Sequence, residues 1–306
     1  MKRFLRVLVN AFAVVMLCLA SVGMAGCGED IKKAEVKIQV YNYTEHEFYD
    51  VSEVTMTIDL YRHLAPKTVD AIASYVNAGY YNDAIFYQIS GYDQIMFGDL
   101  YVEGDRVEIS DDGATVNIKQ YAKGIKPTVP GEYPAGGTVG SDLKNVKGAV
   151  GLWRNWYEAG TDYMTSGASN TGRATCYMPT KTINQYDGYF CIFGQIDFEN
   201  TNNSTAFKGL TKVFDSTVNF TKFVVYYTEK DGGYDATKDD YNLEFHCVTK
   251  DYFDGLTQDE KDQLNMFEAE GNQMENFNQY VINVPNNSDN TTGKIGAKII
   301  SAKIVD

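Results

Sequence analysis

The chain has 306 residues, 44% of them hydrophobic, with 41 Asp and Glu against 27 Lys and Arg, a formal net charge of −14. Charge of that sign and size repels nucleic-acid phosphates, which argues against DNA or RNA as partners and is compatible with basic ones. Five cysteines without C-x-x-C spacing and three scattered histidines indicate neither a disulfide framework nor a zinc site, and no cofactor is implied.

Met1 to Gly26 reads as an export signal. Lys2, Arg3 and Arg6 form a basic start, Val7 to Ala20 is largely apolar, and Met24-Ala25-Gly26 ahead of Cys27 looks like a bacterial lipoprotein box. The competing reading is a membrane-spanning anchor, for which the apolar core is short against the roughly 20 residues a span needs. With lipid on Cys27, the mature chain is held at the outer face of a membrane, outside the cytoplasm. Cleavage removes three basic residues and no acidic ones, so 27 − 3 = 24 stand against 41 and the net charge becomes −17. Positions 27–35 read as a polar tether, and 36–306 as one domain.

Val36, Ile38 and Val40 alternate with Lys37 and Gln39, which predicts a first strand. Val54, Met56, Ile58 and Leu60 alternate in the same way before the period changes. Pro66 suits a first helical turn, Val69, Ile72, Ala73 and Val76 form one apolar stripe, and Gly79 supplies the stop. Ile85 to Ile89 reads as strand again, Gly91 breaks it, and Ile95 to Phe97 leads into Gly98-Asp99. From Asp99 to Pro130 the chain reads as hairpin or loop.

Asn200 to Ser204 lacks the spacing of a calcium loop and reads as a turn. Leu210 to Tyr227 holds the place of a second helix, although its Val and Thr content suits a strand. About 229–290 is an Asp-, Asn-, Tyr- and Gln-rich insertion, either a solvated decoration or a dedicated binding element; Thr257 and Glu260 have capping-box spacing for a short helix within it. Near the end, Ile295, Ala297 and Ile299 alternate, and Ile300, Ala302 and Ile304 continue in the opposite phase, which predicts a bulge. Cys176, Cys191 and Cys247 read as small buried hydrophobes, with a Cys176 to Cys191 pair as the alternative. Tyr80-Tyr81, Tyr226-Tyr227 and the Trp153, Trp156 pair read as core packing in preference to a ligand-stacking surface.

The stretch from Asp59-Leu60-Tyr61 through Ala65-Pro66-Lys67-Thr68-Val69, Val76-Asn77-Ala78-Gly79-Tyr80-Tyr81 and Ile85-Phe86 to Ile95 and Gly98-Asp99 resembles the cyclophilin family of peptidyl-prolyl isomerases. Further blocks agree in order. Val129-Pro130-Gly131-Glu132-Tyr133 is similar to I-x-G-E-F, Leu143-Lys144 and Gly148 to Arg154 to the L-K-H…S-M-A-R strand, Ser169 to Met178 to the segment ending Q-F-F-I, and Asp187 to Ile196 to D-G-x-x-x-V-F-G-x-V. The resemblance implies a mainly β protein, a closed antiparallel barrel of eight strands with two capping helices, here carrying the insertion.

Isomerising an Xaa-Pro bond means twisting an amide over a barrier of about 18–20 kcal/mol. No nucleophile, metal or cofactor is required, only an apolar pocket for the proline ring and a donor near the prolyl nitrogen. The family supplies that donor as the Arg of F-H-R, beside a pocket of Phe, Met, Phe, Leu and His. Here those three positions read Phe86-Tyr87-Gln88, and Gln88 brings no charge. Asp93 and Met96 stand for the pocket Phe and the groove Gln, Thr175 and Tyr177 lie in the Q-F-F block, Gln185 and Tyr186 replace W-L, and Phe190 replaces the pocket His. Trp153 takes the place of a small residue in the groove, and Arg154 is the candidate substitute donor.

Two readings follow. One is a lipid-anchored, extracytoplasmic foldase that isomerises Xaa-Pro bonds in exported proteins. The other is a module of the same fold that binds a proline-containing peptide or exported protein without turnover. Glycan binding is suggested only by 23 Tyr and many Asn, which serve strands and turns equally well.

Overall fold

The computed structural model describes residues 30–305 except positions 90, 105, 135–141, 155–169, 216–219, 236–239, 264–267, 270–271, 274–279 and 286–292. Cys27 and Trp156 therefore lie outside the described residues. The central sheet is antiparallel throughout. Its strands are β1 (Ile31–Asn42) with a short partner β2 (Glu47–Phe48), β3 (Thr55–Tyr61), β5 (Gln94–Phe97), β8 (Ala149–Leu152), β9 (Cys176–Pro179), β10 (Cys191–Ile196) and β16 (Ala297–Val305), in the order β16-β1-β3-β10-β8-β9-β5. β1 begins at Ile31, inside the stretch read as tether, because residues 33–37 pair with β3 on one side and β16 on the other.

The two ends of this sheet meet across residues 83–87. Asp83 N donates to Ile299 O at 2.8 Å and Phe86 N to Ala297 O at 3.1 Å on the β16 side. On the other side Tyr87 and Met96 exchange both backbone hydrogen bonds, at 3.0 and 2.7 Å, and Ile85 N donates to Leu100 O at 2.8 Å. That closes the barrel, as the resemblance implies. The bulge is present where the phase switch places it: Lys37 faces Ser301 and Ile38 faces Ile299, so Ile300 is the extra residue.

Side chains alternate between two apolar faces. Val36, Ile38, Met56, Leu60, Phe97, Val150, Cys176 and Phe193 point into the barrel, capped by α1 (Pro66–Asn77) through Val69, Ile72 and Val76 and by α2 (Thr201–Val213) through Phe207 and Leu210. α2 begins where a turn was expected. Asn200 is its N-cap, with its side chain accepting from the backbone N–H groups of Asn202 and Asn203, and the polar face of the run is the helix start itself. Asn203, buried, grips the backbone of Thr57 in β3 from both sides, with Thr57 N donating to Oδ1 at 2.7 Å and Nδ2 donating to Thr57 O at 3.1 Å.

The opposite face is covered by a second sheet. β4 (Gln88–Ile89), β11 (Phe220–Asp235), β12 (Asp240–Thr249) and β15 (Tyr280–Pro285) run in the order β12-β11-β15-β4. Phe223, Val225, Cys247, Ile282 and Val284 form one buried cluster with Ile85, Tyr87, Met96, Tyr177 and Ile192 of the barrel wall. Of the stretch 229–290, Cys247, Ile282 and Val284 thus share a core with the barrel. The remaining elements are the ladder of β6 (Leu100–Val102) with β7 (Ile118–Gln120), the two-residue strands β13 (Glu268–Ala269) and β14 (Asn272–Gln273), and the helices α3 (Lys250–Gly255) and α4 (Gln258–Gln263). The capping box is reciprocal, with Thr257 N donating to Glu260 Oε2 at 2.7 Å and Glu260 N to Thr257 Oγ1 at 3.3 Å.

Candidate functional site

The outer wall of the barrel around β5, β8 and β9 carries most of the residues singled out by the resemblance. Met96, Tyr177, Tyr186 and Phe190 lie there in one buried cluster, with Trp153 packed against it. The rings fill the space among themselves. Trp153 stacks on Phe190 with centroids 5.4 Å apart, Phe190 lies 4.8 Å from Tyr186, and the Tyr177 ring stands edge-on to Trp153 and Phe190 at 5.9 and 5.5 Å. Gly151, directly across the β8–β9 ladder from Tyr177, makes room for that ring; a Cβ there would lie 2.4 Å from it. Tyr177, Phe190 and Tyr186 are only 0%, 2% and 4% exposed, so among the described residues these rings pack against one another and leave little of their own surface open.

Tyr177 is also fixed at its far end. Its hydroxyl donates to Asn145 Oδ1 at 2.6 Å, and Asn145, fully buried, donates through both N and Nδ2 to Asp187 Oδ1 at 2.8 and 3.1 Å. Asn145 and Asp187 were not anticipated as parts of this site. Gln94 was missed as well, although period two places it on the same strand face as Met96. Its Nε2 donates to Met96 Sδ at 3.4 Å, and its Oε1 is buried with no hydrogen-bond partner among the described residues.

Other predicted residues are placed apart. Phe86 points to the barrel interior, 5.4 Å from Phe97, because alternation along 85–87 sends Ile85 and Tyr87 to the outer wall and Phe86 inward. Gln88 sits in β4 with Val281 of β15 opposite it, and its Nε2 donates to Tyr92 O at 2.9 Å. Asp93 is tied by an ion pair to Lys181 at 2.7 Å. Thr175 is buried and accepts from Trp153 N at 2.8 Å through its carbonyl. Gln185 is exposed, on the 3-10 turn Asn184–Tyr186.

Arg154 joins the aromatic cluster from its edge. Its guanidinium carbon lies 5.1 Å from the centroid of Phe190 and 5.2 Å from that of Tyr133, and Nε donates to Tyr189 O at 2.9 Å. Burial lowers its pKa, but an arginine so far above neutrality stays charged. Beside the wall, Asp99 is a buried carboxylate that accepts from the Tyr87 hydroxyl at 2.8 Å, and burial pushes its pKa up to about 6.

A family model described as cyclophilin type peptidyl-prolyl cis-trans isomerase/CLD matches residues 48–218, more than half of the chain. The chain belongs to that family. Two crystal structures of a cyclophilin type peptidyl-prolyl cis-trans isomerase from Cryptosporidium parvum are similar at 13% identity. One covers 72% of this chain and 97% of that one with a TM-score of 0.35. The other, in the presence of the dipeptide Ala-Pro, covers 71% and 94% with a TM-score of 0.34. No curated protein matches the chain.

In this cyclophilin-type chain the mainly β barrel scaffold is kept. Among the described residues, no group of three or more His, Cys, Asp or Glu is placed to hold a metal ion, and no helix is long and apolar enough to cross a membrane.

Proposed function

We propose that this chain is a cyclophilin-type module, lipid-anchored through Cys27 outside the cytoplasm, that engages a proline-containing peptide or exported protein without isomerase turnover at the family groove. The observation that carries this reading is the Trp153–Phe190 stack with Tyr177 and Tyr186 against it, which supports it by filling the wall to which the family resemblance assigns the proline ring. Gln88 supports it, since the family's cationic donor is replaced by a neutral amide that hydrogen-bonds within its own turn. Loss of one preorganised donor typically costs on the order of a hundred- to a thousand-fold in rate.

The family's own activity remains the second reading, and one observation favours it: Arg154 brings a permanent cation to the edge of the same aromatic cluster. NMR exchange measurements of cis-trans interconversion in a short Xaa-Pro peptide separate the two, with the uncatalysed process taking tens to hundreds of seconds. The silent module leaves the exchange rate unchanged in the wild type and in Arg154→Ala. Acceleration by the wild type that disappears in Arg154→Ala assigns an isomerase with a relocated donor. Export and lipid attachment are read separately, by membrane fractionation of the wild type and Cys27→Ser, which is expected to leave the membrane.

A further inference from the structure

On the side of the barrel where residues 83–87 meet β16, a solvent-open cavity of about 560 Å³ is lined by Asp83, Tyr101, Glu103, Lys123 and Lys298 among others. Its volume is in the range of small-molecule sites. Lys298 is the unusual member. Its side chain is 8% exposed, yet the nearest carboxylate among the described residues, Asp83 Oδ1, is 3.6 Å from its ammonium, beyond hydrogen-bond reach, and belongs to a half-exposed side chain. A lysine so enclosed is costly unless its N–H groups find acceptors.

Lys123 approaches the same space. Its ammonium donates to the carbonyls of Gly79 (3.0 Å) and Asn82 and lies 5.4 Å from the centroid of the Tyr101 ring. An ammonium has three donors, so one is left over. Glu103 does not neutralise either lysine, because both its oxygens are 3.0 Å from Lys119 Nζ. The wall residue Asp83 is held in the left-handed region, φ +63°, its N bonded to Ile299 O at 2.8 Å and its O accepting from Val102 N at 3.5 Å. Backbone of that kind persists where the surroundings over-determine it, often at ligand sites.

We infer that this cavity is a binding site for a small organic monocarboxylate, its carboxylate lying between the Lys298 and Lys123 ammonium groups and its short apolar body against Tyr101. Charge balance selects the class. Among the described lining residues, with Glu103 paired to Lys119, two lysines face one aspartate, so a single negative charge completes the site. A phosphate dianion adds a surplus charge beside Asp83, which like-charge repulsion disfavours. In a chain of net charge −14 such a lining is also a local exception to the surface field.

Calorimetric titration of the full chain with butyrate, at constant ionic strength and with chloride as the control, tests the site; inorganic phosphate is the second probe. Saturable butyrate binding is expected, weakened at least tenfold in Lys298→Gln and in Lys123→Gln, with phosphate indistinguishable from chloride. Lys298 lies in the strand that closes the barrel, so its variant is at risk of misfolding; Lys123 is exposed in a turn, and its variant reports independently. Absence of saturable heat, binding unchanged in Lys123→Gln, or phosphate binding more tightly than butyrate overturns the assignment.

Discussion

Val281 stands opposite Gln88 in the ladder between β15 and β4, so a strand of the second sheet is hydrogen-bonded to the segment that carries Gln88. The next residue, Ile282, is fully buried among the barrel-wall side chains. Truncation there removes contacts from both layers at once. Ile282→Ala is expected to cost about 2–5 kcal/mol, the range for large-to-small core changes. Urea unfolding followed by far-ultraviolet circular dichroism and by tryptophan fluorescence should give coincident curves, both shifted to lower denaturant. A shift in only one of them would mean that the insertion unfolds by itself.

The Tyr177 hydroxyl gives the next expectation. Tyr177→Phe keeps the ring and deletes its hydrogen bond to Asn145 Oδ1, leaving a fully buried amide oxygen short of a donor. The penalty for such an orphan is about 1–3 kcal/mol. Thermal unfolding should show a lower Tm in Tyr177→Phe, and the double variant with Asn145→Ala should lose less than the sum of the two single changes, since the partners act as one unit.

Asp99 makes stability depend on pH in a defined window. Its carboxyl is pushed up to about 6 by burial, against the opposing hydrogen bonds from Tyr87 and Gln120, whereas in the unfolded chain it titrates near 3.9. Between those values the folded form holds the proton more tightly, so this group's contribution is fully present below about pH 4 and is lost as pH rises through about 6. The total is about 3 kcal/mol at 1.36 kcal/mol per pH unit. Denaturant titrations from pH 4 to 7 should show that negative slope in the wild type and a flatter one in Asp99→Asn; equal slopes in the two proteins would remove Asp99 as its source.

The three buried thiols should be chemically silent. Burial pushes Cys176, Cys191 and Cys247 up to about 12, and all three are unpaired. The thiolate is the reactive form, so its population at pH 8 is negligible in the folded state. A colorimetric thiol reagent is expected to leave these three unmodified in the native chain and to react with them in denaturant; rapid native labelling at any of them contradicts the burial described.

What the sequence made legible was local. Strand 55–61, helix 66–77 with its stop at Gly79, the Ile300 bulge and the Thr257–Glu260 box each rest on signals a few residues apart. Two kinds of feature were hidden. The barrel wall is apolar on both faces, so alternation around Phe86 identifies a strand but not which face is the groove. The pairing of β15 with β4 joins segments far apart in the chain, and nothing in either segment names the other. Asn200 was misread for a different reason: the same Asn-rich composition serves turns and helix starts, and only the side chain's acceptance from Asn202 N and Asn203 N decides between them.

Glu132 shows how a family motif can be a packing device. It lies in the segment similar to I-x-G-E-F, and it is 6% exposed. Its two oxygens accept from the backbone N–H groups of Lys67, at 3.1 Å, and Thr68, at 2.8 Å, the first turn of α1. Ala65, the residue at the helix boundary, has no side chain able to accept, so the cap comes from a loop some 65 residues later. The carboxylate also meets the positive end of the helix dipole. Glu132→Ala leaves the buried Thr68 N–H without its acceptor and hands the more exposed Lys67 N–H to water, and is expected to cost about 1–3 kcal/mol. Glu132→Gln retains one acceptor oxygen and should lose about half as much. Hydrogen exchange at Lys67 and Thr68 locates the effect: exchange accelerated at those amides beyond the global loss of stability identifies the cap, and uniform acceleration across the barrel assigns Glu132 to general packing.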